Sequence, residues 1–112
     1  MYYVSSLPAS PVSAGAAQNI ARLLLAGYGW SNQFGCLNDI YSRESHWSTT
    51  AYNSSSGAYG IPQADPGIKI ASAGANWRTS ALTQITWGLR YIRGAYGSPC
   101  AAWKFWEIHY YY

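Results

Sequence analysis

Three segments of the chain repeat apolar residues at the spacing of an α-helix, and this periodicity constrains the fold more than any other feature of the sequence. The segments cover roughly residues 16–28, 30–45 and 81–96 of the 112 residues. The predicted core face of the third segment consists of Leu82, Ile85, Leu89, Ile92 and Tyr96. Glycines close the first and third segments, as is common at helix C-termini. A chain of this length and pattern is expected to form one mainly α-helical domain with three main helices.

The N-terminal segment differs from the rest in composition. Residues 1–15 contain Pro8 and Pro11 among serine, alanine and glycine residues. Proline disfavours helix interiors, so we expect a flexible arm or linker here. The folded domain is then predicted to cover residues 16–112.

A long segment between the second and third predicted helices is rich in glycine, serine and proline. Residues 48–67 hold most of these helix-breaking residues, which predicts a loop with a minimal β element near residues 57–63. Residues 68–73 are predicted to form a short helix. Loops of this length inside compact domains are usually functional. We therefore expect the helices to surround a cleft that this loop borders.

One carboxylate, Glu44, lies on the apolar face of the second predicted helix. The residues that share this face at helical spacing are Leu37, Ile40 and Tyr41. A glutamate that faces inward is costly to ionise, and burial raises its pKa so that it can stay protonated near neutral pH. Two interpretations stay open: a proton donor in a functional site, or a structural carboxylate paired with Arg43 or Arg78.

The amino-acid composition indicates which kinds of molecule the protein is expected to bind. Charged residues make up only 10% of the chain, whereas a typical globular protein has about a quarter. Six Trp and eleven Tyr residues offer aromatic faces with polar tips, which suit contacts with carbohydrate, peptide or a protein interface as well as packing in a core. The net charge of +3 weakly favours an anionic surface such as a bacterial envelope. The seven Lys and Arg residues form no basic run, so nucleic acid is not an expected partner.

The two cysteines, Cys36 and Cys100, are either two free thiols or one disulfide. Low charge and many Tyr, Ser, Asn and Gly residues favour a disulfide in an exported domain. Such a bridge would close a loop of about 65 residues and stabilise the fold by about 4 kcal/mol in the chain-entropy treatment. The sequence has no CxxC or HExxH motif, and we expect no metal or other cofactor.

The sequence also bears on location. The longest apolar run, residues 23–26, is far too short to span a membrane. The residues after Met1 do not read as a signal peptide. If the protein is exported, we therefore expect this chain to be its mature or recombinant form.

Several spaced motifs resemble the lysozyme-like catalytic domain of soluble lytic transglycosylases. The pattern is a Glu-Ser pair at a helix end, here Glu44 and Ser45, followed by Ser-x-x-Gly-Ala-x-Gly-x-x-Gln. The matching positions of that second motif are Ser54, Gly57, Ala58, Gly60 and Gln63. Residues 66–77, 83–89 and 96–103 resemble the actinobacterial branch, which is related to resuscitation-promoting-factor-type wall enzymes. The resemblance covers roughly residues 17–103.

The resemblance implies an α+β lysozyme-like fold and cleavage of the β-1,4 bond between N-acetylmuramic acid and N-acetylglucosamine in peptidoglycan. It assigns the catalytic acid to Glu44 and places the loop beside the scissile bond. The implied substrate-binding residues are Ser54, Gly57, Gly60 and Gln63, with Trp47, Tyr52 and Tyr59 as stacking faces. The same residues also have structural interpretations, as turn glycines and core aromatics. The expected partner is a glycan strand, and the expected protein is a monomer secreted to the cell wall.

Many glycosidases use two carboxylates, but a convincing second one is missing from this sequence. Asp65, where the branch usually has an apolar residue, is the only candidate. One carboxylate suits a lytic transglycosylase, which forms 1,6-anhydro ends without activating water. The alternatives are a lysozyme-type hydrolase that uses Asp65, and a non-catalytic wall-binding module with the same fold.

The C-terminal tail departs from the branch. Phe105 stands where a His is usual, and the chain ends in aromatic residues that include His109 rather than in Gly-Trp-Tyr. The contribution of residues 104–112 to substrate contacts is therefore open.

Overall fold

The structure of the protein, a computed structural model, describes residues 11–112. Four α-helices make up most of these residues: α1 (Ala14–Gly27), α2 (Phe34–Ser45), α3 (Ala81–Ala95) and α4 (Pro99–His109). Two 3-10 helices, Ser31–Gln33 and Gly67–Ala73, precede α2 and α3. The predicted mainly helical class is confirmed. Of the predicted arm, residues 1–10 lie outside the described residues, and its last two residues already belong to α1.

Serine side chains begin three of the four α-helices. Ser13 Oγ accepts a hydrogen bond from the Ala16 amide at 3.1 Å, and Ser80 Oγ accepts one from the Thr83 amide at 3.1 Å. Each bond satisfies an amide that has no partner inside its helix. The start of α2 has no such side-chain cap, because the chain enters it directly from the first 3-10 helix.

The fourth α-helix was not predicted from the sequence. Ser98 Oγ accepts from the Ala101 amide at 3.2 Å, and Pro99 occupies the first turn, where its missing N–H costs nothing. Pro99, which the sequence suggested as a helix-breaking residue, therefore begins a helix. The aromatic residues that follow hide the helical periodicity, since only Pro99 and Ala102 of α4 are fully buried.

The core lies between two packed helix pairs, α1 with α3 and α2 with α4. Its buried side chains include Ala17, Ala21, Leu25, Leu37, Ile40, Tyr41, Trp47, Ile61, Ile85, Leu89 and Ile92. The periodic residues of α2 and α3 thus face inward as predicted, with one exception. Leu82 was assigned to the core face but is 46% exposed, because it lies in the first turn of α3 on the solvent side.

A disulfide joins α2 to α4. The bond links Cys36 and Cys100, whose Cα atoms are 5.0 Å apart and whose sequence separation is 64. The predicted pairing is confirmed. No helix within residues 11–112 has both the length and the apolar character needed to cross a membrane.

The loop between α2 and the second 3-10 helix contains two isolated antiparallel bridges. They pair Tyr52 with Tyr59 and Tyr59 with Ala64. The predicted minimal β element near residues 57–63 is therefore present, although no continuous strand forms within residues 11–112. The bridges fold the loop back on itself, so its middle returns to the end of α2.

A buried glutamine of α3 fastens this loop to the helices. Gln84 Nε2 donates to the carbonyls of Thr49 and Trp77, each at 2.9 Å, and its Oε1 accepts from the Ile61 amide at 2.9 Å. Gly60 lies against this side chain with φ +77°, and a Cβ there would approach Oε1 to 2.7 Å. Gln84 thus satisfies three buried backbone groups with one side chain.

Replacing Gln84 with Ala should therefore destabilise the fold. Each buried group left without a partner costs about 1–3 kcal/mol, so we expect a loss of at least about 2 kcal/mol. Urea unfolding measures the free energy of unfolding. The matched control is Arg90→Ala on the exposed side of α3, which should stay within about 0.5 kcal/mol of the parent chain. A Gln84→Ala variant as stable as that control would contradict the assignment.

Candidate active site

Glu44 lies in the last turn of α2 and borders an open cleft of about 400 Å³. The other residues that line the cleft are Asn53, Ser56, Ala58, Gln63, Asp65, Tyr110, Tyr111 and Tyr112. The loop contributes one wall and the C-terminal residues contribute the other. The helix end, the loop and the tail therefore meet at a carboxylate.

Two bonds fix the end of α2 beside the loop. Ser45, the residue after Glu44, is buried, and its hydroxyl donates to the Ile61 carbonyl at 2.8 Å. His46 then ends the helix with left-handed φ 53°, and its side chain is exposed. The Glu-Ser pair therefore has a structural reason: the serine ties the helix end to the loop while the glutamate faces the cleft.

The carboxylate of Glu44 is held by a neutral donor. Trp106 Nε1 in α4 donates to Glu44 Oε2 at 2.7 Å. Burial raises the pKa of Glu44 from its ordinary value of 4.5, and the hydrogen bond from Trp106 acts in the opposite direction by stabilising the charged form. Burial is the larger effect. Glu44 thus combines partial burial, access to a cleft and a pKa shifted upward.

The alternative in which Glu44 pairs with an arginine is wrong. Arg43 forms its ion pair with Asp39, at 3.8 Å, and places its guanidinium over the ring of Trp103 at 4.9 Å. Arg78 lies over the ring of Trp77 at 4.4 Å. Within residues 11–112, Glu44 makes no ion pair. The helix turns Arg43 away from Glu44, as consecutive positions on an α-helix point in different directions.

Gln63 and Asp65 line the cleft together with Glu44. Gln63 Nε2 donates to the carbonyls of Ala51 and Gly60 at 3.1 and 3.0 Å, so both amide hydrogens are used within the loop. Its Oε1 is left to accept a hydrogen bond from a ligand. Asp65 is exposed at the mouth of the cleft.

The other loop residues expected at the site shape the loop instead of lining the cleft. Gly57 takes φ +87°, which glycine adopts without strain, and Gly60 is buried against Gln84. Ser54 is exposed on a turn that precedes the two glycines in the chain. The contribution of these residues to the site is the shape of the backbone.

The aromatic residues expected as stacking faces divide into three cases. Trp47 is only 2% exposed and packs in the core against Tyr41, so its assignment as a sugar-stacking residue is wrong. Tyr59 is half-buried, donates its hydroxyl to the Arg78 carbonyl at 2.7 Å, and does not line the cleft. Tyr52 is 64% exposed outside the cleft lining. Trp47 is buried because left-handed φ values at residues 46 and 47 turn the chain back onto α2.

The aromatic residues that line the cleft come from the C-terminal tail, and the sequence analysis did not assign them to the site. Tyr112 donates its hydroxyl to the Pro62 carbonyl at 2.6 Å, and its ring lies 5.6 Å from that of Tyr91. These contacts fold the tail over the cleft and leave Tyr110 and Tyr111 exposed on its wall. The unusual density of aromatic residues in the tail was the available signal, but their position depends on the unpredicted helix α4.

Two of the positions that depart from the lytic transglycosylase pattern, Phe105 and His109, lie in α4. Phe105 and His109 stack with ring centroids 4.1 Å apart, and His109 is exposed. Neither residue lines the cleft. Within residues 11–112, no group of three or more His, Cys, Asp or Glu side chains is arranged to hold a metal ion.

Comparison of the chain with family models, with curated proteins and with solved structures gives no match. The case for a function therefore depends on the geometry around Glu44 and on the motifs of the sequence.

The raised pKa of Glu44 predicts a pH-dependent effect on stability. The folded state holds this proton more tightly than the unfolded state, so stability is lost as the pH rises from about 4.5 through the folded pKa. Glu44→Gln removes this pH-dependent loss of stability. The variant should therefore melt at a higher temperature than the parent chain, and the difference should be larger at pH 7.5 than at pH 4. Glu107→Gln, on the exposed side of α4, is the matched control. If the change in melting temperature caused by Glu44→Gln is the same at both pH values, the raised pKa of Glu44 is contradicted.

Proposed function

We propose that this protein cleaves the β-1,4 bond between N-acetylmuramic acid and N-acetylglucosamine in peptidoglycan, as a lytic transglycosylase with a lysozyme-like fold. The observation that carries the proposal is Glu44, a partly buried carboxylate with a raised pKa, no ion-pair partner among the described residues and access to an open cleft. A raised pKa increases the protonated fraction of the carboxyl group at a given pH, which favours its use as a proton donor. The spaced motifs around it support the same class.

The proposed reaction uses Glu44 twice. Its carboxyl proton passes to the glycosidic oxygen as the bond between that oxygen and C1 of the muramoyl sugar breaks. The resulting carboxylate then accepts the proton of the C6 hydroxyl, and O6 bonds to C1 to close a 1,6-anhydro ring. The carboxyl group ends in its starting state, and no water is consumed.

The surroundings of Glu44 suit both steps. Partial burial favours the protonated form that the first step needs, and the Trp106 indole stabilises the carboxylate that the first step produces. The indole N–H donates without offering a proton that could compete, because its pKa is far above that of a carboxyl group. Gln63 lines the same cleft, and its Oε1 could accept a hydrogen bond from a sugar hydroxyl or amide.

A hydrolase is the second candidate, and the presence of Asp65 in the same cleft favours it. In that case Asp65 would serve as the second carboxylate of a lysozyme-type reaction. The product would then carry a reducing end and be heavier than the anhydro product by one water. A third outcome, retention of the protein on the wall without soluble products, would indicate a binding module.

Glu44→Gln should lower the rate of peptidoglycan cleavage by about 100- to 10,000-fold, since it removes the proton donor but keeps the shape of the side chain. Asp65→Asn is the matched control, and it should retain cleavage and anhydro products. Mass spectrometry of the soluble muropeptides measures both. Full activity of Glu44→Gln would remove Glu44 from the reaction, and loss of activity in Asp65→Asn with reducing-end products in the parent would favour the hydrolase.

Trp106→Phe should move the pH profile of cleavage. The hydrogen bond from Trp106 lowers the pKa of Glu44, so its loss should raise that pKa and keep the acid protonated at higher pH. The falling alkaline limb of kcat/KM is then expected at higher pH than in the parent. Trp103→Phe, which removes the indole stacked on Trp106 at 5.5 Å, should leave the limb in place. An alkaline limb that moves to lower pH in Trp106→Phe would contradict the assignment.

A further inference from the structure

A second, smaller groove lies next to the cleft and shares part of its lining. It is lined by Pro62, Gln63, Ala64, Asp65, Lys69, Trp87, Tyr91 and Tyr112, and its volume is about 140 Å³. Three of these residues, Gln63, Asp65 and Tyr112, also line the cleft beside Glu44. We call this space the side groove. A ligand in the cleft can therefore extend a substituent into it without leaving the protein surface.

The size of the side groove limits its occupant. A cavity of about 150 Å³ holds a group the size of benzene. An N-acetylated sugar has more than twice as many non-hydrogen atoms and does not fit. The end of a peptide, such as one small amino acid with its carboxylate, does fit.

The side groove combines an aromatic wall with polar groups and two charged residues. Trp87 and Tyr91 of α3 stack in parallel, with ring centroids 5.3 Å apart and planes inclined by 5°, and they form an aromatic wall. Lys69 supplies a cation, and within residues 11–112 its ammonium group makes no ion pair. Asp65 lies on the side shared with the cleft. Lys69 is the one cationic residue in the lining of the side groove, so a carboxylate is the ligand group that it would attract.

The groove is built on fixed elements. Lys69 belongs to the 3-10 helix Gly67–Ala73, which is anchored by the buried side chain of Ile70. Gly67 packs so closely on Tyr59 that a Cβ would approach the Tyr59 Cβ to 2.5 Å. The aromatic wall belongs to α3. The backbone on both sides is therefore anchored, and the exposed side chain of Lys69 is the part that a ligand would order.

We propose that the side groove binds the carboxylate end of the peptide stem carried by the muramoyl sugar, with Lys69 as the residue that recognises the carboxylate. This inference builds on the proposed function, because it assumes that the cleft holds a glycan strand. It assigns the protein a preference for strands that carry peptide stems with free carboxylates over bare glycan.

Binding measurements test the inference without requiring turnover. The Glu44→Gln protein is titrated with soluble glycan strands that carry stems, with the same strands after enzymatic removal of the stems, and with strands whose stem carboxylates are amidated. Tryptophan fluorescence or calorimetry gives the dissociation constants. We expect stem-bearing strands to bind at least about tenfold more tightly than the other two, as the loss of a hydrogen bond to a charged group predicts.

The double variant Glu44→Gln/Lys69→Gln should bind all three kinds of strand with the affinity that Glu44→Gln shows for bare glycan. Lys104→Gln, on the exposed side of α4 and outside both grooves, is the matched control and should keep the tenfold preference. Equal binding of the three strands by Glu44→Gln, or an equal loss on all three in the Lys69→Gln variant, would overturn the inference. The parent chain could also fail to cleave peptidoglycan while the Lys69-dependent preference is intact. That result would overturn the proposed function but support the side groove as a carboxylate-binding site.

Discussion

The amide of Gln84 is the interaction on which the rest of the site depends. It lies in the first turn of α3 and satisfies the amide of Ile61 and the carbonyls of Thr49 and Trp77, three backbone groups that would otherwise be buried without partners. A loop that is rich in glycine and serine has few apolar side chains with which to hold its own shape. A single well-placed amide supplies that constraint, and the absence of a Cβ at Gly60 allows it to approach.

Once the loop is fixed, the end of α2 is fixed as well. Ile61, held at its amide by Gln84, accepts at its carbonyl from the hydroxyl of Ser45. Glu44, the residue before Ser45, is thereby directed toward the cleft. The disulfide from Cys36 to Cys100 acts at the other side of α2 by holding α4 against it. The indole of Trp106 can then reach a carboxylate that is 62 positions away in the sequence. Two independent constraints thus define the position of one acid.

The sequence was informative where local patterns decide the structure. Helical spacing predicted α1, α2 and α3 and placed Glu44 on an inward face, and the glycine- and proline-rich composition predicted the loop and its small β element. The sequence was misleading where local signals conflict. Pro99 reads as a breaker but starts α4 behind the cap of Ser98. Trp47 reads as a surface aromatic beside the site, yet two consecutive left-handed residues turn it into the core.

Other features of the site depend on long-range contacts, and no local pattern reports them. The Trp106 bond to Glu44 comes from the unpredicted helix α4, which the disulfide joins to α2. The cleft wall formed by Tyr110 and Tyr111 requires the tail to fold back through the Tyr112 bond to Pro62. The side groove combines the loop, the second 3-10 helix, α3 and the tail. Each of these is a consequence of packing among elements that are distant in sequence.

The central claim is that the fold holds Glu44 as an acid with a raised pKa at the edge of an open cleft. An NMR titration of the carbon-13-labelled Glu44 side chain, with the signal assigned from Glu44→Gln, measures that pKa directly. The structure predicts a midpoint above 4.5 that rises further in Trp106→Phe. A midpoint at or below 4.5 would show that burial does not raise the pKa of Glu44, and would contradict the claim that the fold favours its protonated form.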